Sequence, residues 1–138
     1  MGSLILNFVM SQLFNFNLEI NEKLDGREGV DFLIGDNELY LQSIDLDTVQ
    51  RSIKIAKQDL LGLKDNLFIA LIVVLDKEPR VIYLIPSKDL LQSDSNIFTD
   101  NEISLMPSLS NWEIKVSTYV IPELAEYSLE KMIHKLKV

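Results

Sequence analysis

LFIALIVVL, residues 67–75, places nine apolar side chains in a row. A strand with one wet face alternates apolar and polar residues. A run without alternation fits a strand covered on both faces. VIYLI, residues 81–85, reads the same way, and the DKEPR between the two runs is a turn. The pair is therefore expected to be an antiparallel hairpin at the centre of a sheet. Pro86 and Ser87 then open a short helix, SKDLLQ, with Ser87 as its N-cap.

On the N-terminal side, RSIKIA (51–56) alternates as a strand and KQDLLGLK leads a short helix over 58–63, which Gly62 keeps from extending. Further upstream, two strands over 30–34 and 38–46 flank GDN, a turn triplet whose residues tolerate positive φ. Residues 4–14 are dense in apolar positions and predict a mostly buried helix. FNFNLEI (14–20) alternates and predicts a half-buried strand, and the polar NEKLDGREG that follows predicts a loop.

On the C-terminal side, residues 93–110 read as a polar surface loop and WEIKVSTYV (112–120) as a strand. Trp112 and Tyr119 read as core and strand residues. Pro122 suits the first turn of a helix continuing over 123–137. That helix has acids near its start and lysines near its end, as the helix dipole favours. The chain thus predicts a single α+β domain over 1–138, a mixed β-sheet flanked by helices.

The composition limits the chemistry. In 138 residues, 47% apolar, there is no cysteine and a single histidine, His134. Disulfides, thiolate metal sites and histidine-rich metal sites are excluded. A net charge of −8 disfavours a stand-alone DNA binder, while a local basic patch would leave nucleic-acid binding open. MGSLILNFVMSQLF lacks a basic leader region and a small-residue cleavage site. It is interrupted by Asn7, Ser11 and Gln12, so a cytoplasmic protein that does not enter a membrane is expected. His134, beside Lys135 at the end of the last helix, reads as an exposed residue.

The residues that could carry chemistry lie in the hairpin GVDFLIGDNELYLQSID, residues 29–45. A two-residue Asp36-Asn37 loop would set Asp31 opposite Gln42 and Leu33 opposite Tyr40. Asp31, Leu33, Tyr40, Gln42 and Ile44 then share one face.

An acid on one strand, a short turn and then Glu/Gln-x-Lys on the next resembles the restriction-endonuclease-like PD-(D/E)-x-K nucleases. The layout over residues 4–119 is similar to that of small bacterial members of unknown function. The resemblance implies a restriction-endonuclease-like fold. It puts Asp31 in place of the metal-binding aspartate, Gln42 in place of the second acid and Ile44 in place of the lysine. In that family two carboxylates would hold Mg²⁺, and the lysine would position water and stabilise charge at phosphorus. Gln42 offers a carbonyl oxygen without charge, and Ile44 offers nothing. Lys54 or Lys57 could supply an amine, and Glu19 or Glu22 a carboxylate. As a simple alternative, Asp31 and Gln42 form a polar cross-strand pair worth under ~1 kcal/mol.

Three functions are compatible with this pattern. The first is a nuclease-like domain without its catalytic set, serving protein interaction or regulation, with no cofactor. The second is an active Mg²⁺-dependent nuclease with displaced ligands. The third is an acidic, immunity- or antitoxin-like binding protein. A protein partner is expected in the first and third, and paired sheet edges could make a homo-oligomer.

Overall fold

β5 (Leu67–Leu75) and β6 (Glu78–Pro86) form the antiparallel hairpin that their apolar runs predict, although β6 lies at the edge of its sheet and not at the centre. The structure is a computed structural model and describes residues 3–22, 32–60, 62–92 and 95–136. On its other side β5 pairs in parallel with β3 (Asn37–Asp45). β3 in turn pairs antiparallel with β2 (Phe32–Ile34), and β2 with the short β1 (Asn21–Glu22). The result is a five-stranded mixed sheet in the order β1-β2-β3-β5-β6.

Parallel neighbours cannot be joined by a hairpin, so the chain must cross over between β3 and β5. Residues 46–66 make that crossover, and they carry a strand, β4 (Ser52–Ala56), and a one-turn helix, α2 (Lys57–Leu60). β4 pairs antiparallel with β8 (Asn111–Lys115), and β8 with β7 (Phe98–Asn101). This second, three-stranded sheet has the order β4-β8-β7.

The fold is α+β, with a different layer on each face of the mixed sheet. On one face, Ile44, Ile69, Leu71, Tyr83 and Ile85 pack with Ile53, Ile55, Trp112 and Ile114 of the second sheet. On the other, Leu39, Leu41, Phe68, Ala70, Ile72 and Leu84 pack with Val9 and Leu13 of the N-terminal helix α1 (Ser3–Phe14) and with C-terminal helical turns. Helices were expected to flank the sheet. A sheet covers one face instead, because the crossover spends its length on a strand. The alternation on β5 is thus internal: residues 67, 69, 71 and 73 serve one core and 68, 70 and 72 the other.

Several expectations are corrected. Residues 14–20 are not a strand. Asn17 takes φ 62 and ends α1. The Leu18 N–H donates to the Leu13 carbonyl (3.0 Å) and the Asn17 N–H to that of Phe14 (2.9 Å), a Schellman closure with asparagine at the left-handed position. β1 falls inside the segment expected to be a loop. α1 is less enclosed than expected, since Leu4, Met10 and Phe14 are exposed. β7 lies in the expected 93–110 loop, where Ile97 and Phe98 face the core. β8 ends at Lys115, short of the predicted strand, and Tyr119 is exposed rather than core, while Trp112 is buried.

The predicted C-terminal helix is broken. α3 (Ile121–Leu124) runs into a 3₁₀ turn over Ala125–Tyr127, and Ser128 then adopts φ −58, ψ 149. α4 (Leu129–Met132) follows, with a last 3₁₀ turn over Ile133–Lys135. The break carries the chain around the edge of β6, where Ser128 bridges to Tyr83. Leu124 packs in one core, Leu129, Met132 and Leu136 pack in the other, and Tyr127 touches both. The Tyr127 ring meets Phe98 edge-on at 5.8 Å, and its hydroxyl donates to Asp89 Oδ2 at 2.8 Å. Burial, together with that carboxylate, pushes the phenol well above its ordinary pKa.

The β5–β6 turn is Asp76-Lys77, both at positive φ (54 and 63). Aspartate tolerates that region but lysine does not favour it, and a two-residue turn of this kind usually has glycine at its second position. Asp47, at the start of the crossover, accepts the N–H groups of Asp76 and Lys77, each at 2.9 Å. These two backbone hydrogen bonds hold its carboxyl below the usual range. Pro79 and Arg80 sit at a bulge where the β5–β6 register shifts between Val73 and Val74.

A carboxyl with a depressed folded pKa contributes stability above its unfolded pKa, and that contribution disappears as pH falls through the folded value. Asp47→Asn should therefore lower the melting temperature at neutral pH. The gap from wild type should close as pH drops below the carboxylate range. A parallel offset at all pH values in thermal melts would contradict the role given to the charge.

Candidate functional site

Side chains alternate along β3, so Glu38, Tyr40, Gln42 and Ile44 share the face turned to the second sheet. Pairing of Leu33 with Glu38 brings Leu33 to the same side. The turn uses Gly35-Asp36 rather than Asp36-Asn37. Gly35 has φ 58 at the first central position, where a II′ turn takes its glycine. Phe32 consequently lies opposite Leu39, a register two residues from the expected one. A shift of two leaves the face assignment unchanged. The residue expected opposite Gln42, Asp31, lies outside the described residues.

Coverage along this face is uneven. Ile44 is completely enclosed at 0% exposure, among residues of both sheets. Tyr40 and Gln42 are half-buried, and the Gln42 Nε2 donates to the Tyr40 hydroxyl at 2.9 Å. Glu38, next to the turn, is 7% exposed, and its Oε1 lies 2.6 Å from the ammonium of Lys64.

Lys64 enters from the loop before β5, and Ser87 fixes that loop. Its buried hydroxyl accepts the Lys64 N–H at 3.1 Å and donates to the Lys64 carbonyl at 2.8 Å. The 3₁₀ turn Ser87–Leu91 is capped by Pro86, so Ser87 is a loop fastener and not the expected N-cap. The Glu38 N–H donates to the Asn66 carbonyl at 2.7 Å, tying the same loop to β3.

Lys54, Lys57 and Glu19 do not join this group. Lys54 stands on the outer face of the second sheet, paired with Glu113, so the inter-sheet core separates it from Gln42. Lys57 is hydrogen-bonded to Asp100 and Glu102 and lies 4.2 Å from the centre of the Trp112 ring. Burial lowers the pKa of that ammonium, but the two carboxylates outweigh it and the net shift is upward. Glu19 is exposed beyond the end of α1, and Glu22 pairs with Phe32 in β1. His134 is exposed, as expected.

Sequence reasoning missed Glu38 and Lys64 as a pair. Glu38 shares the parity of Gln42, which was the available signal, but its partner comes from a loop that only the parallel β3–β5 pairing brings near. A second polar group, on the outer face of the second sheet, is closed on itself. The Ser52 hydroxyl and the Asn101 amide donate to Glu113 (2.7 and 3.1 Å), and Asn101 also donates to Asn111 (2.8 Å). The hydrogen bonds from Ser52 and then Asn101 hold the Glu113 carboxyl below its ordinary range.

Among the described residues, no three His, Cys, Asp or Glu side chains are gathered as a metal ion would need. No helix among them is long and apolar enough to cross a membrane. Compared with known proteins, the chain matches no family model and none of the curated proteins.

Because Ile44 is walled in by both sheets, an ammonium at that position would have to leave water. Ile44→Lys should cost about 3 kcal/mol or more in urea unfolding. The neighbouring Ser43→Lys, at an exposed position, should stay within about 0.5 kcal/mol. Equal, small effects would show that position 44 opens to solvent.

Proposed function

We propose that this protein is a nuclease-like scaffold without a catalytic set, acting through protein binding or regulation. The observation that carries this reading is the environment of Ile44. The position that the resemblance gives to the catalytic lysine is a sealed core position between two sheets. The neighbouring position, given to the second acid, holds an amide whose N–H is taken by Tyr40. A neutral amide and an aliphatic side chain neither offset the charge of a divalent cation nor activate water.

A specific observation favours a second reading, the nuclease with displaced ligands. Glu38 and Lys64 supply an acid and an amine on the Gln42 side of β3, at different positions from those the resemblance names. Their 2.6 Å contact makes them an ion pair in this arrangement. In a binding protein that pair simply fastens the loop.

Incubation with supercoiled plasmid, duplex oligonucleotide and RNA at millimolar Mg²⁺ or Mn²⁺ separates the two. The non-catalytic reading predicts no cutting above the metal-free control and no metal-dependent rise in melting temperature, which specific binding would produce by linkage. Metal-dependent cutting that Glu38→Gln or Gln42→Ala abolishes, with the fold intact by circular dichroism, would overturn it in favour of the second.

A further inference from the structure

The loop that joins β7 to β8 carries Ile103, Leu105, Met106 and Leu109, all exposed, with Leu105 at 94%. We infer that this hairpin tip is a docking surface for a basic protein partner whose apolar cleft receives Leu105 and Met106. The inference rests on the reading of the chain as a binding protein and names where and with what chemistry it binds.

The loop is held in shape by its own backbone and the Ser110 hydroxyl. The Ile103 N–H donates to the Ser110 hydroxyl at 2.8 Å, the Met106 N–H to the Ile103 carbonyl at 3.2 Å and the Leu109 N–H to the Met106 carbonyl at 2.9 Å. Pro107 opens a 3₁₀ turn over Pro107–Leu109. Ser110 is buried at the foot of the loop, and its carbonyl accepts the Lys57 N–H at 3.0 Å. A backbone already fastened in this way loses little further entropy when a partner covers the loop. A group of them facing water marks an interaction site. Methionine at its centre adapts to the shape of a cleft.

Charge selects the occupant. Between residues 95 and 112 the only charged side chains are Asp100 and Glu102, at the foot of the loop. Lys57 contacts both acids, so three charges leave one net negative at the rim. The whole chain carries −8. A second copy would bring the same charge, and an anionic lipid surface would also repel it. A basic rim around an apolar cleft is attracted on both counts.

The test is an amide-shift titration of the full ¹⁵N-labelled chain with two synthetic amphipathic helical peptides, one of leucine and lysine, the other of leucine and glutamate. The leucine–lysine peptide should shift amides of residues 100–110 and bind more weakly at high salt. The leucine–glutamate peptide should leave them in place. Leu105→Ser with Met106→Ser should weaken binding about tenfold or more at unchanged melting temperature, and Leu105→Ser alone should act in the same direction. Equal response to both peptides, shifts centred elsewhere, or loop shifts that appear with protein concentration alone would overturn the inference. So would equal binding of phosphatidylglycerol vesicles through the loop. Peptide binding at the loop by a chain that also cuts nucleic acid would overturn the non-catalytic reading and leave this one standing.

Discussion

The parallel pairing of β3 with β5, with β5 buried on both faces, governs the rest of the architecture. Parallel neighbours force a crossover. In this protein the crossover contains β4, which cannot stand alone and recruits β8 and β7 into a second sheet. That sheet closes one face of β5. α1 and the C-terminal turns close the other, and the C-terminal segment reaches its place only by breaking at Ser128 and passing around β6. The Asp47 carboxylate joins the start of the crossover to the β5–β6 turn, so one side chain fastens both connections to β5.

The same constraint shapes the candidate site. The β3 face that carries Gln42 is the face that the crossover sheet covers. At its closed end, around Ile44, the surface is used for packing. Toward its other end, from Gln42 through Tyr40 to the buried Glu38, polar groups are engaged with one another and with Lys64. The exposed features lie elsewhere, above all at the β7–β8 loop. The fold thus divides into a face used for cohesion and a hairpin tip whose apolar side chains meet water.

The elements with strong periodicity were legible in the sequence. The unbroken run of β5, the alternation of β4 and the start of β8 each appear where the pattern places them, as does the helix at the N-terminus. What escaped depends on contacts distant in the chain. FNFNLEI alternates, yet Asn17 closes a helix there, because helix capping satisfies more backbone groups than an unpaired strand would. FTDN is too polar to read as a strand and becomes one because β8 offers it an edge. Residues 123–136 keep a helical stripe but must serve two cores, so the helix breaks. At the site, the shared face of Tyr40, Gln42 and Ile44 followed from parity alone. The burial of Ile44 and the arrival of Lys64 required the crossover.

The chain has no native cysteine, so thiol accessibility can report directly on β5. Single cysteines placed in turn at positions 68 to 73 should all resist a water-soluble thiol reagent in the folded protein, while one at 75 reacts. Reaction at 69, 71 and 73 with protection at 68, 70 and 72 would mean that the face under the second sheet meets water. In that case neither the second sheet nor the sealed position of Ile44 could be as described.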